Sequence, residues 1–353
     1  MENRHEEIVS TALLLYCRAG FESECALEIE AFAYAAGIAG KARFDGGAGF
    51  VVLAADAAES VLRDAARWRD LVFARQCLVA FAHLRDLPRS DRLTSILAVL
   101  RERGEKFHEV WAEAPDSDAG KQLAPLCKSF GNALVGALKK AQLLDAQARR
   151  RLHVFFPQGD EVYLCATDPD AAAPWPQGIV RLKFPREAPS RSTLKLEEAF
   201  AVLLDDGERA RCLKPGMTAV DLGAAPGGWT FQLVRRSIRV IAVDNGSMDR
   251  ALLDSGLVAH RREDGFRYRP AKPVDWLVCD MVEQPRRVAD LVARWLEQGW
   301  CRHAIFNLKL PMKKRFDEAQ QCLARVRTVT RELRAKQLYH DREEITVFAV
   351  GRR

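Results

Sequence analysis

One stretch limits what this chain can fold into more than any other. Residues 219–229, AVDLGAAPGGW, run from an apolar strand straight into a glycine-rich turn and then a helix. Asp221 ends the strand. Gly223, Gly227 and Gly228 have no Cβ, so the backbone there can approach a bound molecule closely. Glycines also make tight turns that hold nothing, so the turn by itself leaves both readings open. Its spacing argues against two ligand classes. A dinucleotide fingerprint would need a glycine at Ala225, and no phosphate-loop lysine follows Gly228.

The segments around this turn alternate. A helix is expected over 195–204, strands over 218–221, 240–243, 276–279, 304–307 and 345–350, and helices from Gly228 and from Phe316. Repeated βα units give an α/β fold with a mostly parallel, doubly wound sheet that binds ligands beyond the carboxyl ends of its strands. The front half reads differently. Strands over 11–17, 49–54 and 70–80 with helices over 23–35 and 57–68 suggest a ferredoxin-like α+β unit, residues 1–85. A second small α+β unit, 86–168, has helices over 91–103 and 121–140, a strand over 107–112, and a pair over 152–156 and 161–166 joined by Pro-Gln-Gly-Asp. Residues 169–180 are aperiodic and rich in Pro and Ala, which marks a linker before a domain at 181–353.

With 353 residues and 48% hydrophobic composition, the chain can fill two ordinary cores. No apolar run reaches the roughly 18–20 residues of a membrane span, and residues 1–10 are polar, so a cytoplasmic protein without membrane attachment is expected. Nine cysteines without a C-x-x-C pair argue against a disulfide framework and against a bound metal. Residues 1–170 carry 21 Lys+Arg against 25 Asp+Glu, whereas 171–353 carry 33 against 23. The second half is therefore the one suited to a polyanion.

The pattern D-x-G-x-x-P-G-G resembles the first motif of class I methyltransferases of the RNA ribose type, in which the loop wraps the methionine part of S-adenosylmethionine. Two further acids fit a nucleoside. Asp244 follows the strand 240–243, where an acid can accept from ribose hydroxyls. Asp264, in REDG, is placed to meet an adenine amino group. A single such Asp is more often a helix cap, and the pair in register behind the glycine loop is the stronger signal.

Asp280 closes the strand 276–279, Lys309 follows 304–307, Lys195 precedes the first strand, and Glu344 precedes the last. This Lys-Asp-Lys-Glu set resembles the tetrad of RNA 2′-O-ribose methyltransferases. A ribose hydroxyl is a poor nucleophile, whereas a sulfonium methyl is already activated, so the enzyme must supply a base and in-line positioning. Lys309 is the expected base, its pKa lowered toward about 7–8 by burial and a second ammonium. Asp280 would orient it, Lys195 would offset the charge of Asp280, and Glu344 would hold Lys195 or the ribose. Glu343 competes with Glu344 for that place. Lys313, Lys314 and Arg315, at a helix start that suits Pro311, are candidates for substrate phosphates; a solvated basic face explains them equally well. Arg186, Arg191, Arg261, Arg262, Arg267 and Arg269 add positive charge without an evident placement.

Segments along nearly the whole chain, among them LLLYCRAGFESECALEI, RLKFPREAPSRSTLKLEEAF, VDLGAAPGGWT, VCDMVEQP, NLKLPMKKRF and LYHDREEITV, are similar to the bacterial ribosomal RNA large subunit methyltransferase M family. That resemblance implies a THUMP-containing, RNA-binding front, a Rossmann-like catalytic domain, S-adenosylmethionine as cofactor, and 2′-O-methylation of one cytidine in large-subunit ribosomal RNA. The RNA would be taken naked or in an early assembly intermediate, and no stable protein partner is expected. Carried over by residue, the cofactor contacts are Ser192, Ala225, Pro226, Gly227, Gly228, Asp244, Asp264 and Asp280, with Lys309 as proton acceptor. Ala225 departs from the cysteine of some relatives.

Three other readings compete. A cytosine-5 enzyme would need Cys279 as nucleophile, but strand alternation turns it away from the face of Asp280. An amino-group methyltransferase would want Asn/Asp-Pro-Pro-aromatic where this chain has DMVEQP. A non-catalytic RNA-binding protein would have no use for the Lys-Asp-Lys-Glu set.

Overall fold

The computed structural model describes residues 11–65 and 67–352; the polar N-terminal residues 1–10 lie outside them. Two compact units divide between Ile179 and Val180.

The first unit is built on one seven-stranded sheet. Its elements are β1 (Ala12–Cys17), α1 (Glu22–Ala35), β2 (Gly40–Arg43), β3 (Phe50–Ala55), α2 (Glu59–Ala65), β4 (Ala74–Leu84), α3 (Arg92–Arg103), β5 (Glu109–Glu113), α4 (Asp118–Gln122), α5 (Ala124–Lys140), β6 (Arg151–Gln158) and β7 (Glu161–Thr167). The strand order β2-β3-β1-β4-β7-β6-β5 makes the two expected small units share a continuous sheet, joined where β4 pairs antiparallel with β7. Alternation along β6 explains the packing. Leu152, Val154 and Phe156 face the apolar side of α3 and α5, and Phe155 joins Tyr16, Leu78 and Tyr163 on the opposite face.

Several elements depart from the expected boundaries. The helix expected over 121–140 is two, broken at Leu123 with a proline in the first turn of α5. The strand expected over 70–80 begins at Ala74, after a short 3-10 turn at Trp68–Asp70. The aperiodic 169–180 segment is not free. Gln76 in β4 binds the backbone of Ala173 through both ends of its amide, and a Cβ at Gly178 would strike Arg75.

The second unit comprises α6 (Thr193–Leu203), α7 (Asp206–Cys212), β8 (Thr218–Leu222), α8 (Gly228–Val234), β9 (Arg239–Val243), α9 (Arg250–Asp254), β10 (Val258–Arg261), β11 (Val274–Cys279), α10 (Pro285–Glu297), β12 (Cys301–Lys309), α11 (Arg315–Arg327), β13 (Thr330–Lys336) and β14 (Glu344–Gly351). The sheet order is β10-β9-β8-β11-β12-β14-β13. Strands β8 to β12 run parallel, and β14 inserts antiparallel between β12 and β13. This is the doubly wound α/β sheet that the βα alternation predicts. Register puts Leu222 beside Val243 and Cys279, and Val243 beside Arg261. Four strands therefore end on one row, and whatever follows each of them gathers at the same edge. Among the described residues no helix is long and apolar enough to cross a membrane.

Candidate active site

The turn after β8 occupies the middle of that row. Gly223 has φ +77° and Gly227 φ +119°, conformations that side chains disfavour. Neighbouring side chains crowd these positions as well. A Cβ at Gly223 would come within 2.6 Å of Met281, one at Gly227 would strike Leu252, and one at Gly228 would strike the Ser192 hydroxyl. The peptide bond between Ala225 and Pro226 is cis.

The expected acids divide into two groups. Asp244, directly after β9, accepts from the N–H of Ala225 at 3.0 Å through one oxygen and from Gly246 at 2.7 Å through the other. It thus ties the second strand end to the glycine turn. A carboxylate has about four lone-pair positions, so it retains acceptor capacity on its open side for a pair of hydroxyls. Asp264 does not sit at a strand end. It lies three residues beyond β10, is exposed, and binds the N–H of Phe266 at 2.9 Å. This corrects the expected register, because the four-residue edge strand ends early; the neighbouring Gly265 still lies against Leu222 and Met281, at the row. Ser192 is half-buried against the turn, with its hydroxyl 2.7 Å from that of Ser190.

Asp221 belongs to β8 itself and is 1% exposed. Burial pushes its carboxyl up to about 7 against the bond from the Thr230 hydroxyl, with Asp280 and Asp244 adding to the rise. Acids therefore crowd this edge, and together with the glycine cradle they suit a cationic nucleoside such as S-adenosylmethionine.

One step along the row lies the charged cluster. Asp280, directly after β11, accepts from Lys309 Nζ at 2.7 Å and lies 3.4 Å from Lys195 Nζ. Glu344 pairs with both lysines through its two oxygens. All four expected residues thus meet in one alternating ring of charge. Glu343 does not join them; it is exposed and pairs with Arg315 at 2.7 Å. β14 starts at Glu344, and alternation along it sends the two neighbours apart.

The lysine's electrostatics differ from expectation. Burial does work to lower the Lys309 pKa, but Asp280 and Glu344 outweigh it and raise the pKa well above its ordinary value. The predicted lowering counted a neighbouring ammonium and one carboxylate; two carboxylates within contact reverse the sign.

Two residues absent from the motif reading complete the surroundings. Asn307 donates to Asp280 Oδ1 at 2.8 Å, and Thr346 is hydrogen bonded to Asn307 at 2.7 Å. Asn307 carries no motif; its place two residues before Lys309, on the same strand face, is the only available signal. Lys313 and Lys314 are exposed in the loop after β12, but α11 starts at Arg315, so Pro311 precedes the helix instead of opening it. Arg269 lies over Trp300 and Arg267 faces Asp264 at 3.7 Å. Cys279 is buried, and burial pushes its thiol up to about 12, which removes the nucleophile that a cytosine-5 mechanism requires. No group of three or more metal-ligating side chains occurs among the described residues.

Counted within the catalytic unit, the strand order 3-2-1-4-5-7-6, a glycine turn after the first strand and acids after the second and fourth define a Rossmann-like methyltransferase. Comparison with known proteins agrees. Residues 188–332 match the FtsJ-like methyltransferase family, residues 10–78 the RlmM ferredoxin-like domain, and residues 91–167 the N-terminal region of ribosomal RNA large subunit methyltransferase M. Proteins named ribosomal RNA large subunit methyltransferase M from Xanthomonas campestris pv. campestris and Xanthomonas oryzae pv. oryzae are each 54% identical over 346 residues, covering 96% of this chain and 99% of their own. Among solved structures, TrmN from Thermus thermophilus aligns over 96% of this chain and 99% of its own, with 16% identity and a TM-score of 0.37. The chain belongs to the ribosomal RNA large subunit methyltransferase M family.

Proposed function

We propose that this protein methylates the 2′-hydroxyl of a cytidine in 23S ribosomal RNA, with Lys309 as general base. Membership of the family makes it an S-adenosylmethionine-dependent methyltransferase of large-subunit ribosomal RNA. The ring formed by Lys195, Asp280, Lys309 and Glu344 is the observation that carries the finer reading. A base nitrogen with a free lone pair would not need a base of this strength, whereas a ribose hydroxyl does.

The contacts of the cofactor are assigned to Ser192, Ala225, Pro226, Gly227, Gly228, Asp244, Asp264 and Asp280. When bound, S-adenosylmethionine supplies an activated methyl group together with one positive charge. In the protein alone, two ammonium and two carboxylate groups cancel, and Lys309 holds its proton. An added positive charge beside Asp280 favours loss of an ammonium proton. Lys309 in its amine form would then accept the hydroxyl proton while Asp280 fixes its position. Glu344 orients Lys195, which keeps a positive charge near the developing alkoxide. Lys313 and Lys314, exposed residues in the loop after Lys309, are assigned to the phosphates of the substrate strand. The front unit is assigned to RNA binding, and the reaction to the cytoplasm.

The test is transfer of labelled methyl to unmodified 23S ribosomal RNA by wild type and by Lys309→Ala. Loss of transfer with cofactor binding preserved supports the assignment. Full transfer by the variant removes Lys309 from the role of base.

A further inference from the structure

Behind the ring of charge lies a second line of polar groups closed off from solvent. Asn307 and Thr346 stand opposite each other in the β12–β14 register and are both 0% exposed; Asp341 is 1% exposed. Thr346 Oγ1 is 2.7 Å from Asn307 Oδ1, and 3.1 Å and 2.9 Å from Asp341 Oδ1 and Oδ2. The N–H of Leu338 donates to Asp341 Oδ2 at 2.9 Å.

Counting hydrogens gives this line a direction. Asp280, held by two lysines, acts only as an acceptor, so Asn307 must turn its amide N–H toward it. The Asn307 carbonyl then faces Thr346 and can only accept. Thr346 has a single hydroxyl hydrogen for two acceptors, and its shortest contact, 2.7 Å, gives that hydrogen to the carbonyl. Toward Asp341 the hydroxyl oxygen therefore presents lone pairs. An ionised Asp341 would oppose them with lone pairs of its own; a protonated one supplies the missing hydrogen.

The surroundings agree. Burial disfavours the Asp341 anion most, Glu344 and Glu198 add to this, and the Leu338 N–H and Lys195 oppose it; Lys336, buried and across from Thr346 on β13, is the other cation on this face. His340 does not relieve this, because its Nδ1 is engaged with Glu198 at 2.6 Å.

We infer that Asp341 is held as a neutral carboxylic acid at the head of a one-way hydrogen-bond line, Asp341 to Thr346 to Asn307 to Asp280, which fixes the Asp280 carboxylate between Lys195 and Lys309. The three are positioning residues. Their effect on rate rests on the assignment of Asp280 and Lys309 to the reaction; the protonation of Asp341 does not.

Two measurements on the full chain test the inference. Infrared difference spectra of wild type against Asp341→Asn at neutral pH should show the loss of one protonated-carboxyl band. Its absence overturns the inference whatever the activity of either protein. In the kinetic measurement Thr346→Val, which keeps shape but has no hydroxyl, should lower kcat by roughly fivefold, the rate equivalent of one neutral hydrogen bond. The KM for RNA should stay unchanged, and Thr346→Ser should restore kcat. Asp341→Asn, whose amide N–H replaces the acid O–H, should remain near wild type. A wild-type kcat in Thr346→Val, or an Asp341→Asn as impaired as Thr346→Val, overturns the line. Failure of the base assignment looks different: Lys309→Ala stays active while the infrared band is unchanged.

Discussion

Lys309 on β12 and Glu344 on β14 stand directly across from each other in an antiparallel pair and form an ion pair over the sheet face. Two residues along, Asn307 and Thr346 form the next pair on that face. The chemistry of the site is therefore written into strand register, and a one-residue slip of β14 would send Glu344 away from both lysines.

Removal of the Lys309 amine should cost about 10²–10⁴ in kcat, the usual contribution of a general base. Lys309→Ala should bind S-adenosylmethionine within a few-fold of wild type by calorimetry. Lys309→Arg should not recover activity, because a guanidinium keeps its proton. A fully active Arg variant would contradict the proton-acceptor role.

The two adjacent glutamates should behave differently. Glu344→Gln removes a buried partner of two lysines and should abolish most transfer. Glu343→Gln breaks an exposed pair with Arg315, a class of contact worth about 0–1 kcal/mol, and should leave kcat and melting temperature nearly unchanged. Equal loss in both variants would contradict the assignment.

Asp221 should make stability depend on pH. Its folded pKa of about 7 lies above the roughly 3.9 of an unfolded aspartate. The folded state thus holds this proton more tightly, a contribution fully present below about pH 4 and lost as pH rises through 7. At pH 8 the loss is on the order of a few kcal/mol. Asp221→Asn can still accept from Thr230 and does not titrate, so its melting temperature should gain on wild type from pH 5 to about pH 7 and level off above it. A pH-independent difference between the two proteins would refute this.

Gly227 should tolerate no side chain. Its φ of +119° and the collision with Leu252 predict that Gly227→Ala lowers affinity for S-adenosylmethionine by about tenfold or more. Isothermal titration would show it, and wild-type affinity would remove the turn from the cofactor site.

Strong local periodicity and punctuation made much of this readable in advance. The βα alternation and the VDLGAAPGG turn led to the parallel sheet, and the types and order of Lys195, Asp280, Lys309 and Glu344 led to the ring. Two strands lack those signals. β10 has only four residues, and β13, TRELRAK, is a polar edge strand without an apolar face. The Lys309 pKa is not legible in sequence, which names neighbours without the distances that decide between burial and two carboxylates. Asn307 and Asp341 were missed for a related reason: their roles depend on hydrogen-bond direction across β12 and β14.

The most direct test of the account is the chemical identity of the product. Unmodified 23S ribosomal RNA methylated with labelled S-adenosylmethionine should, after alkaline hydrolysis, carry the label in an alkali-resistant dinucleotide that yields 2′-O-methylcytidine on further digestion. Label in an alkali-labile mononucleotide with the methyl group on the base would contradict ribose methylation and the role given to Lys309.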